Sequence, residues 1–364
     1  MKTKSALPLG ALAALALVLA GCSAATPTAS EPAKPGLTAV NLTLPAAASL
    51  ESVVYDCVPN QEGFFKKEGL QVTVNIAEGS VLALQSLETG TSDVVVVGTS
   101  PLMAAVGIGS TAKAFANVVS GSYAYPAVLP GSPIKTFLDL QGKTVGVPSL
   151  QSGSIPFTKG LVALAGGNPS TVRFQPVSAG APSIQALKTG QVDALGFWDT
   201  VYAQIESLGQ PLRFIQNAQS KKLGFQVVYA AKSAWLDKNP KVAAAMTKAM
   251  NEAYVFASTN PYAALQDCWK EYPNLIPTGV DKATAVKDGL ASIKARLSAS
   301  GPVDGLYGNT TSDQVSTFYS LQVSAGTVKP GITAGQLWTN KFIKPGNQFD
   351  VAAIKKLANS KPSS

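Results

Sequence analysis

Residues 84–100 (LQSLETGTSDVVVVGTS) and 184–200 (IQALKTGQVDALGFWDT) repeat one another at an offset of one hundred, with Gln85/Gln185, Leu87/Leu187, Thr89/Thr189, Gly90/Gly190 and Asp93/Asp193 identical. Each copy reads as a helix ending at a glycine suited to a left-handed cap. An aspartate then opens a buried strand that runs into a further helix. Two copies predict two similar α/β lobes, against the plainer reading that helix–glycine–strand units recur in any α/β protein. If the copies face one another, their strand ends, Gly98-Thr99-Ser100 and Trp198-Asp199-Thr200, line one cleft, because open α/β sheets bind ligands beyond the carboxyl ends of their strands.

The rest of the chain is patterned in the same way. Ala39–Leu44, Gln71–Ile76, Asp93–Val97, Ala114–Val119, Thr144–Val147, Thr171–Pro176 and Asp193–Phe197 read as short buried strands. Between them lie the helical stretches Leu50–Glu68, Val81–Glu88, Pro101–Val106, Ile155–Ala165, Ser183–Lys188 and Thr200–Leu208, and beyond Ala234 the pattern turns helical, clearest in Lys241–Phe256. This alternation predicts an α/β fold with largely parallel sheets. A length of 364 residues also suits two cores, since single cores stop growing at roughly 250 to 300 residues.

The chain contains no histidine. That removes the commonest general base, the commonest zinc ligand and every Ser–His or Cys–His nucleophile pair, so most hydrolase chemistry is excluded and no metal site is expected. A formal charge of +8 is too mild to argue for nucleic acid.

At the N-terminus, Lys2 and Lys4 precede the apolar run Leu7–Ala20, the pattern of a secretory leader over residues 1–21 and too short for a stable span. It closes on Leu19-Ala20-Gly21-Cys22, which resembles a bacterial lipobox and makes Cys22 the expected lipid attachment point, tethering the protein to a membrane. Residues 22–36, rich in Ala, Pro, Ser and Thr, read as a tether, and the folded body begins near Leu37. Outside the cytosol the other two cysteines, Cys57 and Cys268, are able to pair; two buried thiols are the alternative.

Several catalytic-looking strings fail on context. Gly107-Ile108-Gly109-Ser110-Thr111-Ala112 follows a helix where a dinucleotide fingerprint needs a strand, and Gly142-Lys143-Thr144 lacks the upstream glycine of a P-loop. Gln151-Ser152-Gly153-Ser154 is different. It follows a strand and opens a helix, so its free N–H groups and hydroxyls suit an acceptor or anion, or else serve as an ordinary serine cap. Trp198-Asp199 sets an aromatic wall beside a carboxylate.

Taken in order, these segments resemble the solute-binding proteins of ATP-driven importers, specifically the aliphatic-sulfonate, taurine and nitrate group that shares a fold with thiamine-pyrimidine synthases. The resemblance runs over nearly all of 37–342. Its marks are Glu62–Leu70 (EGFFKKEGL), Ala83-Leu84 through Gly90 with Asp93, Gly98 with Pro101, Ser132–Lys135 with Asp139–Lys143, Ala186-Leu187 through Gly190 with Val192–Ala194, and Trp198-Asp199.

It implies a type II periplasmic-binding-protein-like fold whose two lobes are joined by crossings near Ser122–Tyr125 and Leu223–Gln226. One lobe would comprise 37–123 and 224–342 and the other 124–223, with 343–364 a C-terminal tail. The ligand site it implies comprises Ser49, Gly79, Ser80, Thr99, Ser100, Ser152, Gly153, Ser154, Trp198 and Asp199. The expected protein is a monomeric, cofactor-free receptor, not an enzyme, that delivers a small solute to an ABC permease.

Sulfonate binders often carry Gly-Ser and a nearby histidine where this chain has Gln151-Ser152 and Ile155, and a proline where it has Thr200. The solute class therefore extends to aromatic, pyrimidine-like or amine-bearing molecules, with Asp56 and Asp199 as partners for a donor. The alternatives are a pyrimidine-synthase-like enzyme, whose fungal relatives draw on an active-site histidine that this chain lacks, and a structural lipoprotein without a closed pocket.

Overall fold

Two five-stranded sheets organise the protein, and both have the same strand order. The computed structural model describes residues 34–46, 49–121 and 123–364. The leader, Cys22 and most of the tether lie outside the described residues, as does Ser122 of the first crossing. In chain order the first lobe contains β1 (Thr38–Leu44), β2 (Leu70–Ile76), α1 (Ser80–Thr89), β3 (Val94–Gly98), α2 (Thr99–Gly107) and β4 (Ala112–Val119). After the crossing come β5 (Ala127–Val128), β6 (Thr144–Val147), α3 (Ser154–Leu164), β7 (Arg173–Pro176), α4 (Ala181–Lys188), β8 (Ala194–Leu195), α5 (Asp199–Ser207) and β9 (Arg213–Phe214). The chain returns as β10 (Val227–Lys232) and continues through α6 (Pro240–Thr259), α7 (Pro261–Glu271), α8 (Lys282–Ala299), α9 (Ser312–Ser324) and α10 (Val351–Asn359).

The sheet orders are β2-β1-β3-β10-β4 and β7-β6-β8-β5-β9. In each, the first strand runs parallel to the second and third, and the strand arriving from the crossing inserts antiparallel between the third and fourth. The sequence repeat maps onto equivalent places in the two sheets. Gly90 and Gly190 end α1 and α4 at φ 77° and 72°, a backbone that side-chain-bearing residues rarely adopt. Asp93 and Asp193 do more than open a strand: each carboxylate accepts the backbone N–H of the first strand of its sheet, from Asn41 and Thr144, at 2.8 Å in both cases.

β3 shows why these strands read as continuous apolar runs. Val94 and Val96 point into one core cluster and Val95 and Val97 into another, so both faces are buried. In α6, Ala243, Met246, Ala249, Met250, Ala253 and Ala257 form the apolar stripe that covers the first sheet, and Pro240 starts the helix where its missing N–H costs nothing.

Four sequence expectations change. The single helix read over Leu50–Glu68 is a 3-10 turn, Leu50–Val54, and two short helical segments, Cys57–Gln61 and Phe64–Lys67, because Gly63 adopts φ 72° between them. Residues 343–364 are not a tail: Ile343, Ile354 and Ala358 are buried, Asn260 Nδ2 donates to the Ala358 carbonyl at 3.0 Å, and Lys361 pairs with Glu62 at 2.7 Å. Residues 224–342 do not serve the first lobe alone, since α9 stacks Phe318 on Phe157 of α3 with ring centroids 5.8 Å apart. The strands β5, β9 and β10 have no counterpart among the strands expected from the sequence. Cys57 and Cys268 are joined by a disulfide between the first lobe's early helical turn and α7, with Cα atoms 4.8 Å apart.

Candidate functional site

A cavity of about 440 Å³ opens between the lobes, beyond the carboxyl ends of β1, β3 and β6. Residues 45–55 bring Pro45, Ala46, Glu51 and Tyr55 to it, and the segment leading into α1 brings Ile76, Glu78, Gly79 and Ser80. From across the cleft come Ser149, Ser152, Gly153 and Ser154 at the start of α3, and Trp198 at the start of α5. Tyr123 of the first crossing and Arg296 of α8 complete the wall.

Two helix starts converge here. Ser80 Oγ accepts the Gly98 N–H at 3.1 Å, tying the start of α1 to the end of β3. On the facing side Ser154 N–H donates to Ser152 Oγ at 3.2 Å, and the two serine hydroxyls are hydrogen-bonded at 2.7 Å. The lobes touch between these turns. A Cβ on Gly79, whose φ is +115°, would lie 2.6 Å from the Gln151 carbonyl oxygen, so only glycine permits the approach. At the α3 start the Ser154 and Ile155 N–H groups are taken by the Ser152 hydroxyl and carbonyl and Pro156 has none, so the free N–H groups near the cavity are those at the start of α1.

The floor is ionic. Asp281 caps α8 by accepting the Thr284 N–H at 3.0 Å, and one helix face then carries Ala285, Gly289, Ser292, Ile293 and Arg296 inward. Arg296 is 1% exposed. Its Nε and Nη2 donate to the two oxygens of Asp199 at 3.0 and 2.7 Å, a bidentate pair that ties α8 to α5 of the second lobe. Glu51 Oε2 stands 3.6 Å from the same Nη2, and the guanidinium lies 5.4 Å from the Tyr123 ring centroid. Burial lowers the Arg296 pKa, but Asp199 and Glu51 more than reverse this and keep it cationic. Burial pushes Asp199 up, opposed by Arg296. Burial raises Glu51 from 4.5 to about 7 despite the pull of Arg296. Tyr55 and Tyr123 are raised by burial and stay neutral donors.

Of the residues expected at the site, Gly79, Ser80, Ser152, Gly153, Ser154 and Trp198 line the cavity. The others do not. Thr99 is 1% exposed and donates its hydroxyl to the Phe225 carbonyl, and Ser100 is equally buried beneath the helix start. Ser49 caps the turn that holds Glu51, accepting its N–H at 3.4 Å, and lines a separate cavity of about 220 Å³ with Trp269 and Ser292. Asp199 is spent on Arg296. Asp56 is held by Tyr272 and Asn60, away from the cleft. Glu51, Tyr55, Tyr123 and Arg296 were missed. The one available signal was an arginine on the buried stripe of a helix, where a charge needs a partner. The Trp198 indole N–H is buried without a hydrogen-bond partner.

The family described as NMT1/THI5 like matches residues 55–264, more than half of the chain. The chain belongs to that family. A protein of Brucella abortus named as a binding protein is 21% identical to it over 208 residues, 56% of this NMT1/THI5-like chain. The match spans 63% of the length of that curated relative. Among solved structures, a Bordetella bronchiseptica protein has a TM-score of 0.62 at 24% identity over 85% of this chain and 97% of its own. The periplasmic aliphatic sulphonate binding protein SsuA of Escherichia coli has a TM-score of 0.60 at 16% identity, covering 84% and 98%. The fold is therefore that of the periplasmic binding proteins, two α/β lobes around a cleft. It is not confined to binding proteins, since the desulfurization enzyme DSZB shares it with a TM-score of 0.51 at 14% identity, covering 85% and 98%.

Proposed function

We propose that the protein is an extracytoplasmic receptor that encloses a small organic solute between its lobes and presents it to an ABC permease. The observation that carries this reading is the cavity itself: about 440 Å³, walled by both lobes, with an aromatic side chain and two helix starts directed at it. Solute contacts with both lobes favour the closed arrangement over the open one, and that differential affinity is what drives closure. The Escherichia coli relative by fold binds aliphatic sulphonates, which keeps sulfonates, taurine and nitrate beside pyrimidine-like solutes as candidates. An enzyme on this fold is the second reading, but the chain has no histidine, and the fungal pyrimidine synthases that it resembles draw on one in the active site.

Thermal-shift screening against sulfonates, nitrate, pyrimidines and aromatic acids tests the receptor reading, since a solute at one hundred times its Kd stabilises by about 2.7 kcal/mol. Small-angle scattering with the solute identified should show a smaller radius, and an unchanged radius removes closure from the mechanism. Cys22 is the lipid anchor in this reading. Cys22→Ala should leave the protein soluble or unprocessed, and mass spectrometry finding Cys22 unmodified in membrane extracts refutes the anchor.

A further inference from the structure

The cavity is short of positive charge. Arg296 is the one cationic side chain among the described residues that line it. Both faces of its fork that reach a carboxylate at hydrogen-bond distance are used by Asp199. Glu51 receives the 3.6 Å approach of the same Nη2 and a hydrogen bond from the neutral Tyr55 phenol, so no cation donates to it at hydrogen-bond distance, and Glu78 adds a second carboxylate at the exposed rim. One guanidinium thus faces two buried carboxylates. The remaining polar groups of the wall are neutral: the phenols of Tyr55 and Tyr123, the serines, and the unpartnered Trp198 indole N–H.

Resting on the receptor reading, we propose that the solute carries a protonated amine or amidine that seats against Glu51, with its apolar body on Trp198. A cation there completes the charge balance of the floor and gains charge-assisted hydrogen bonds in a site largely shielded from water. An anion lacking such a group meets the opposite situation. No free cation awaits it, Glu51 and Glu78 repel it, and it has only neutral donors, the α1-start N–H groups, the hydroxyls and the Trp198 indole N–H, to hold it. Burial raises the Glu51 pKa to about 7, and the pull of Arg296 does not offset it, as expected of a carboxyl without a full cationic partner. The Tyr123 face is already occupied by Arg296 and Tyr55 is 2% exposed, which leaves Trp198 as the aromatic surface open to a solute.

The test uses the full chain and three sets of probes built on one phenyl ring: benzylamine and benzamidine, benzyl alcohol and benzamide, benzoate and benzenesulfonate. Thermal shift and calorimetric titration should show binding by the cationic pair, with Glu51→Gln weakening it by about tenfold or more, and little response to the neutral and anionic sets. Binding by the anions in preference to the cations overturns the assignment of solute class and leaves the receptor reading standing. No response to any probe overturns the seating of an aromatic cation at Glu51 and Trp198, while the receptor reading is decided by the wider solute screen. The comparison among probes on the unaltered protein decides between these outcomes even if Glu51→Gln folds poorly.

Discussion

Replacing Glu51 by Gln should make the solute-free protein relatively more stable as the pH rises. The Glu51 carboxyl titrates at about 7 in the folded protein against an ordinary 4.5. Between those values the folded state keeps a proton that the unfolded chain has lost, so raising the pH works against folding, and the loss is complete only above the folded value. At roughly 1.4 kcal/mol per pH unit the interval amounts to roughly 3 kcal/mol. Gln is neutral at every pH and nearly the same shape, so it lacks this term. Asp56 and Asp267, raised by burial to about 6 and about 7, are present in both proteins and cancel in the difference. Urea denaturation at several values between about pH 5 and 8 should find the two proteins close at the acid end and the variant ahead by roughly 3 kcal/mol at the alkaline end. A constant difference, or a wild type that gains on the variant as pH rises, would mean that Arg296 already satisfies Glu51 and would refute the argument that the floor lacks positive charge.

Trp198→Ala should abolish solute binding in titration while its urea midpoint without solute stays near wild type, because the ring is only partly buried and the full cost of about 3 to 5 kcal/mol applies to buried aromatics; an unfolded variant, or one that binds normally, removes Trp198 from the solute wall. Arg296→Ala leaves Asp199 buried without its partner and should cost about 3 to 5 kcal/mol in urea denaturation. A loss below about 1 kcal/mol would place the pair in water. Gly79→Ala puts a Cβ against the Gln151 carbonyl at a φ of +115°, so the lobes must separate. Affinity measured by titration should fall by about tenfold or more, and unchanged affinity would show that this contact is absent from the closed form.

Local rules made much of the architecture legible. Apolar runs of four to eight residues with glycines between them announced the main strands of both sheets, and the repeat at Gly90/Gly190 and Asp93/Asp193 foretold their equivalence. The serines at 152 and 154 could be placed at a helix start because a strand, a glycine and a helix pattern are consecutive in the chain. Strands of two residues, such as β5 and β9, leave no period to detect, and they form only because a neighbouring strand supplies their hydrogen bonds.

The site divides along the same line. Helix-start residues were readable since their chemistry is set by the backbone they sit on, whereas Thr99 and Ser100 turned inward because the hydroxyl of Thr99 found the carbonyl of Phe225, a residue from the far crossing. The ionic floor left no trace in sequence order. Glu51, Asp199 and Arg296 come from a 3-10 turn, a helix of the other lobe and a late helix, and a charge gives no local sign of the partner that burial will assign to it. The sequence alone determined which segments become strands and helices, because caps and apolar periods act over a few residues. Which charges meet, and which one is left under-paired, was decided only when packing removed them from water, where Coulomb interactions and the cost of desolvation become large.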